Sequence, residues 1–306
     1  VFTAQTERSM FEYASCSLCP RECGADRRTR FGFCRCGDQI KVARAALHFW
    51  EEPCVSGKNG SGTVFFSGCT LRCRYCQNYQ ISSGCFGKEI SADRLAQIFL
   101  ELQNQGAHNI NLVTPTQYLP GILTALDAVK GKLRIPVVYN CGGYEKVETV
   151  KLLKDYVDIF LPDIKYYDSA LSREFSGAAD YFAVASAAVR QMITQTGGPV
   201  LDQDGILRRG VLIRHMVLPG CREDSIRILR WIKENLPAGE YLLSLMSQYT
   251  PAFEGLKHKE LRRRVTSFEY NAVVREAVRL GLTAGFMQER SSAKAEYTPP
   301  FDLAGV

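Results

Sequence analysis

From residue 62 onward, short runs rich in Val, Ile and Leu alternate with longer stretches whose apolar positions recur every three or four residues. The first kind reads as buried strand and the second as amphipathic helix. GTVFFSG at 62–68 is a strand that runs directly into a cysteine-bearing loop. Residues 91–105 read as a helix: Ser91 is placed to cap it, Leu95, Ile98, Phe99 and Leu102 make one stripe, and Gly106 ends it. NINLVT at 109–114 is the next strand and 119–130 the next helix. Strands follow at 135–140, 157–162, 210–218 and 240–247, with helical stretches at 145–155, 168–194 and 223–236. Thr266 and Glu269 have capping-box spacing at the head of a last long helix, and 282–288 reads as one more strand.

Six βα units in succession require a parallel sheet, because each crossover helix returns the chain to the same end. Eight units close a full barrel, so six predict an α/β fold built on a partial (β/α)6 parallel barrel. Residues at the carboxyl ends of its strands are then the site candidates. The chain divides into a Cys-rich N-terminal metal-binding extension (1–60), the partial barrel (61–250), and a C-terminal helix and strand (251–306) that complete it.

With 306 residues, 46% of them hydrophobic and 23% charged, the chain can bury a sizeable core. No apolar run approaches the ~20 residues of a membrane span. Residues 1–13 carry Glu7, Arg8 and Glu12 and lack the apolar core of a secretory signal, so the expected location is cytoplasmic, without a membrane partner. The net charge of +6 is scattered, apart from Arg27, Arg28 and Arg30 and the run 257–264. Without a dense basic stripe and aromatic platforms, nucleic acid is not an expected partner.

Twelve cysteines change the picture. In a cytoplasmic chain they point to metal binding or catalysis in preference to disulfides. Cys69, Cys73 and Cys76 form a C-x3-C-x2-C loop immediately after the first strand. Soft thiolates select zinc, copper(I) or iron–sulfur clusters. Structural zinc takes four protein ligands, and no matching second pair stands nearby. On a four-iron cube, three cysteines leave one iron as an open coordination site. Cys16, Cys19, Cys23 and Cys34, with Cys36 beyond, crowd a stretch too poor in apolar residues to build its own core. A structural zinc or an auxiliary cluster is expected there, against the alternative of reduced cysteines packed on the barrel. Cys54, Cys85, Cys141 and Cys221 stand alone and read as buried structural residues; Cys141, at a strand end, is also a candidate hydrogen-atom donor.

The cysteine loop, with Tyr75 before its last cysteine, resembles the signature of the radical S-adenosylmethionine superfamily. More widely, AALHFWEEPC (45–54), NINLVTPT (109–116), VYNCGGYE (138–145), DIFLPDIK (158–165), RHMVLPG (214–220) and SLMSQY (244–249) resemble its pyruvate formate-lyase activating enzyme-like branch. The resemblance implies a 4Fe-4S cluster on Cys69, Cys73 and Cys76, with the methionine end of S-adenosylmethionine chelating the open iron. An electron from a partner such as flavodoxin or ferredoxin would cleave the cofactor to a 5′-deoxyadenosyl radical. That radical would abstract hydrogen from a protein, peptide or small-molecule substrate.

The resemblance also assigns roles. Thr114 and Thr116 stand where the superfamily usually carries a Gly-Gly-Glu-like segment that meets the methionine amino group; here the sequence departs from that pattern. Arg214, in an Arg-x-x-x-x-Pro-Gly motif, would grip the cofactor carboxylate, while His215 alternates to the opposite face. From their places after the third and sixth strands, Asn140 is positioned either to reach the ribose, and Gln248 the adenine or ribose, or to satisfy loop backbone groups; Tyr75 and Asn78 shape the cysteine loop. Asp163 and Lys165 match an Asp-x-Lys pattern, either facing the substrate or forming a supporting ion pair. Two other classes remain open. A non-catalytic iron–sulfur or zinc protein, acting as redox sensor or scaffold, would bring a fourth ligand to the loop. A radical RNA-modifying enzyme would bring Arg262 to Arg264 to the barrel mouth.

Overall fold

A computed structural model describes residues 13–251, 259–288 and 298–306. Residues 1–12, where no secretory signal is expected, and the start of the basic run at 257–258 lie outside the described residues. The strands are β1 (Ile40–His48), β2 (Ser61–Phe66), β3 (Lys88–Ile90), β4 (Ile110–Val113) and β5 (Val137–Cys141). They continue with β6 (Ile159–Pro162), β7 (Val200–Leu201), β8 (Leu207–Met216), β9 (Leu242–Met246) and β10 (Gly285–Met287). One sheet runs β10-β9-β8-β6-β5-β4-β2-β1-β3, with β7 paired onto β8. Every neighbour from β2 to β10 along that path is parallel, whereas β1 runs antiparallel to both β2 and β3. The terminal strands β3 and β10 do not pair with each other, which makes this the open, partial barrel of an α/β fold.

The six strand segments read from the alternation form β2, β4, β5, β6, β8 and β9, and the segment 282–288 supplies β10. Three strands escaped that reading. β1 (IKVARAALH) is rich in Ala and carries two basic residues, so its pattern is not that of a strand; its place comes from pairing along β2. That pairing also ties part of the expected 1–60 extension into the sheet. β3 and β7 are too short for any period to show. The single helix expected over 168–194 is two, Ser169–Ser176 and Tyr181–Thr196. Gly177, at φ +59, ends the first in a left-handed cap.

The helix Ala92–Asn104 shows how the outer layer forms. Ser91 Oγ accepts the Arg94 N–H, and Leu95, Ile98, Phe99 and Leu102 are buried. Each contributes roughly 2 kcal/mol of gross apolar burial. Inside the barrel, the short helix Pro53–Ser56 plugs the amino-terminal end. Cys54 and Val55 pack there on Val138, Ile159, Leu161 and Leu212, and Asn109 Nδ2 donates to Val55 O at 2.8 Å. The floor is thus filled mostly by apolar side chains, with Asn109 tying the plug to the start of β4. Among the described residues, no helix is long and apolar enough to cross a membrane.

Candidate active site at the carboxyl ends of the strands

β2 delivers the cysteine loop through Ser67 and Gly68. Gly68 has φ +78, and a side chain there would collide with Cys36 Sγ and the Cys34 carbonyl. Gln117 Nε2 donates to the carbonyls of Ser67 (3.0 Å) and Gly68 (3.1 Å), and Arg21 Nε donates to Thr70 O at 2.9 Å. The loop is therefore held by its backbone, leaving the sulfurs for other partners. Ser176 Oγ donates to Cys73 Sγ at 3.0 Å. The Tyr166 hydroxyl is 2.7 Å from both Ser176 Oγ and the Tyr75 hydroxyl, and Tyr75 packs edge-on against Phe175 and Tyr249.

Cys73 and Cys76 line a cavity of about 210 Å3 together with Tyr75, Asn78, Asn140, Asp163, Lys165, Arg214 and Gln248. Burial pushes the Cys69 thiol up to about 12 and raises that of Cys76. A soft metal centre that displaces their protons suits these sulfurs. Among the described residues, no group of three or more His, Cys, Asp or Glu is drawn together around one metal ion. Three soft sulfurs on one short loop are donors that suit an iron–sulfur cluster.

Beside the sulfurs lies a charged network. Arg214, from β8, donates through Nε to Asp163 Oδ1 (3.0 Å), through Nη1 to Glu51 Oε2 (3.2 Å) and through Nη2 to Asn140 Oδ1 (2.5 Å). Lys165 Nζ pairs with the second Asp163 oxygen. Glu51 Oε1 accepts from Asn111 Nδ2 (3.1 Å) and Asn140 Nδ2 (3.2 Å). Burial pushes the Asp163 carboxyl up, but Lys165 and Arg214 outweigh it and hold the group below its ordinary range. Burial disfavours the Lys165 ammonium, yet Asp163 raises its pKa above the usual lysine value.

Other candidates lie elsewhere. Thr116 is buried in a cluster where its hydroxyl donates to Glu145 Oε1 (2.8 Å) and accepts from Tyr139 (3.1 Å). Neither it nor Thr114 lines the cavity; the Thr114 carbonyl accepts from Gln117 Nε2 at 2.9 Å. Cys141 alternates away from Asn140 and packs in the outer core, where burial raises its thiol far above the usual value. It does not line the cavity from which a hydrogen atom would be given. His215 likewise faces outward, with Nδ1 2.6 Å from Ile164 O and Nε2 2.9 Å from Ser225 Oγ. Arg263 pairs with Glu260 and Glu269, and none of Arg262 to Arg264 lines the cavity.

In the N-terminal segment Cys16, Cys34 and Cys36 are buried, Cys19 is partly so and Cys23 is exposed; all are free thiols. The Cys23 and Cys34 sulfurs both approach the bare Cα face of Gly32, lying 3.4 and 3.5 Å from where a Cβ would stand. Arg27, fully buried, donates to Cys36 O (3.2 Å) and Gln117 O (2.6 Å), with Nη1 3.9 Å from Cys16 Sγ. Sequence reasoning missed Glu51, Ser176 and Gln117. For Glu51 a signal existed: two adjacent acids set between aromatic residues and a proline in HFWEEPC.

A partial parallel barrel with a three-cysteine loop at its carboxyl end defines a class of iron–sulfur α/β proteins. Residues 63–252, more than half of the chain, match the Radical SAM superfamily, and the chain belongs to that family. The family's chemistry is that of an iron–sulfur cluster and S-adenosylmethionine. An uncharacterized protein of Methanocaldococcus jannaschii is 29% identical over 283 residues, covering 88% of this chain and 76% of its own. Among solved structures, SuiB of Streptococcus suis bound to S-adenosylmethionine superposes with a TM-score of 0.46 at 17% identity. That match covers 74% of this chain, which spans only 45% of SuiB. Methylornithine synthase superposes with a TM-score of 0.48 at 15% identity, over 94% of this chain and 79% of that one.

Proposed function

We propose that this chain is an activating-enzyme-like radical enzyme whose 4Fe-4S cluster rests on Cys69, Cys73 and Cys76 and whose substrate is a protein or peptide. One observation carries the reading: two of the loop's three cysteines line the same cavity as Arg214, Asp163 and Lys165. A cluster held by Cys69, Cys73 and Cys76, with S-adenosylmethionine bound beside it, would supply the one-electron chemistry of hydrogen-atom abstraction. The electron comes from a low-potential donor such as flavodoxin or ferredoxin.

The residues then act by positioning. Lys165 gives one of its three donors to Asp163 and Arg214 has donors beyond its three bonds, so both cations can take a carboxylate. Asp163 and Glu51 fix the direction of those cations, and the Asn140 and Gln248 amides lie within the same walls. Phe65, Val113, Met216 and Met246 supply apolar walls that keep water from a reactive centre. Ser176, hydrogen-bonded to the Cys73 sulfur, tunes that ligand. The proposal extends to the N-terminus, where Cys16, Cys19, Cys23 and Cys34 hold a zinc ion or a second cluster. The convergence of Cys23 and Cys34 on Gly32 supports it.

Anaerobic reconstitution with iron and sulfide, followed by reduction with dithionite in the presence of S-adenosylmethionine, tests the reading. 5′-Deoxyadenosine forms with the wild type and not with Cys73→Ala. No product from a fully loaded wild type would overturn it. Iron and zinc counts on Cys16→Ser/Cys34→Ser, set beside the wild type, identify the N-terminal metal.

A further inference from the structure

A second cavity, of about 390 Å3, shares Trp50, Glu51, Arg214, Met246 and Gln248 with the one beside the cluster loop. Glu52 and Ser244 line it without lining the first. Glu52 is 8% exposed and Ser244 0%; the two side chains are neighbours, and Glu52 Oε2 has no close hydrogen-bond partner among the described residues. A buried carboxylate oxygen beside a hydroxyl thus faces the cavity with acceptor capacity to spare.

Charge points the same way. Around these cavities the acids are Glu51, Glu52 and Asp163 and the cations Arg214 and Lys165. Arg214 is shared between Glu51 and Asp163, and Lys165 is paired with Asp163. Glu52 is left outside those pairs; burial pushes its carboxyl up, and a cation bound beside it would hold it ionised. The neighbouring wall suits a cation with an aliphatic stem: Phe49 is 51% and Trp50 48% exposed, and ring faces attract cations. A carboxylate beside a hydroxyl offers two acceptors to a forked donor, which favours guanidinium over ammonium.

We infer that this second cavity is the substrate's specificity subsite, taking an arginine-like basic side chain with Glu52 as its counter-ion and Ser244 Oγ as a further acceptor. The inference rests on the proposed radical site and names the substrate class: a peptide with a basic residue near the carbon that loses hydrogen.

The test uses anaerobically reconstituted holoenzyme and butylguanidinium as the probe, followed by saturation-transfer NMR. The wild type binds it, Glu52→Gln binds at least tenfold more weakly, Ser244→Ala weakens binding several-fold, and 1-butanol does not compete. Thermal melting shows that each variant is folded, and Ser244→Ala gives an independent reading should Glu52→Gln not fold. Equal binding to wild type and Glu52→Gln, competition by 1-butanol, or no binding to wild type overturns the inference. So does a tenfold loss of S-adenosylmethionine affinity in Glu52→Gln with butylguanidinium binding unchanged, since Glu52 would then serve the cofactor. The radical reading is tested separately, by 5′-deoxyadenosine formation in the wild type without the probe.

Discussion

Ser176 donates its hydroxyl to the sulfur of Cys73 across 3.0 Å, joining residues 103 positions apart in the chain. A hydrogen bond to a thiolate stabilises the more negative, reduced state of a cluster it holds. Ser176→Ala is therefore expected to lower the reduction potential. The shift should approach the ~59 mV that a tenfold change represents for a one-electron couple. An EPR-monitored redox titration measures it, and an unchanged potential would detach Ser176 from the cluster ligand.

Arg214→Met should destabilise the fold by about 3–5 kcal/mol. The substitution leaves Asp163 with Lys165 alone and strips Glu51 of its cation, both in a buried setting. Arg214→Lys should recover part of the loss, because one ammonium cannot reach three acceptors in the guanidinium's fixed fork. Urea unfolding of the two variants beside the wild type gives the numbers.

Glu145 provides a pH signature. Burial lifts its carboxyl to about 7, against bonds from Thr116 and Tyr139 that pull it down. Between the ordinary glutamate range and pH 7 the folded state holds a proton that the unfolded chain has released, so stability falls as pH rises through that window and levels off above it. The drop is on the order of 3 kcal/mol. Glu145→Gln keeps a neutral group in place and should flatten the curve between pH 4.5 and 7, as measured by denaturant midpoints.

Gly68→Ala should cost ~2 kcal/mol or more, through left-handed backbone and a clash against Cys36. Iron retention should fall with stability, since the residue leads directly into Cys69. Iron content and melting temperature of the reconstituted variant check both; a variant as stable and as iron-rich as the wild type would contradict the role given to this glycine.

How much of this was legible beforehand differs by element. The parallel sheet was, because β2, β4, β5, β6, β8 and β9 are buried apolar runs separated by amphipathic helices. The cysteine loop was, because its spacing is local. Strand alternation also carried the contrast between Arg214 and His215, and applied to Asn140 it would have turned Cys141 outward. Glu51 was not legible as a partner of Arg214, since no periodicity links a turn before β2 to a strand 163 residues later. Ser176 was hidden for the same reason, and the Thr116 hydroxyl was captured by Glu145, a buried acid whose need for donors no local pattern announces.

Arg21 grips three carbonyls, those of Thr70, Ser176 and Gly177, at separations of 49, 155 and 156 residues. The clamp on the cysteine loop cannot close until the ribosome has released well over half of the polypeptide. The secured loop is consequently a late product of chain synthesis, and a nascent chain stalled before residue 176 would present those three thiols unguarded to oxidants and stray metals.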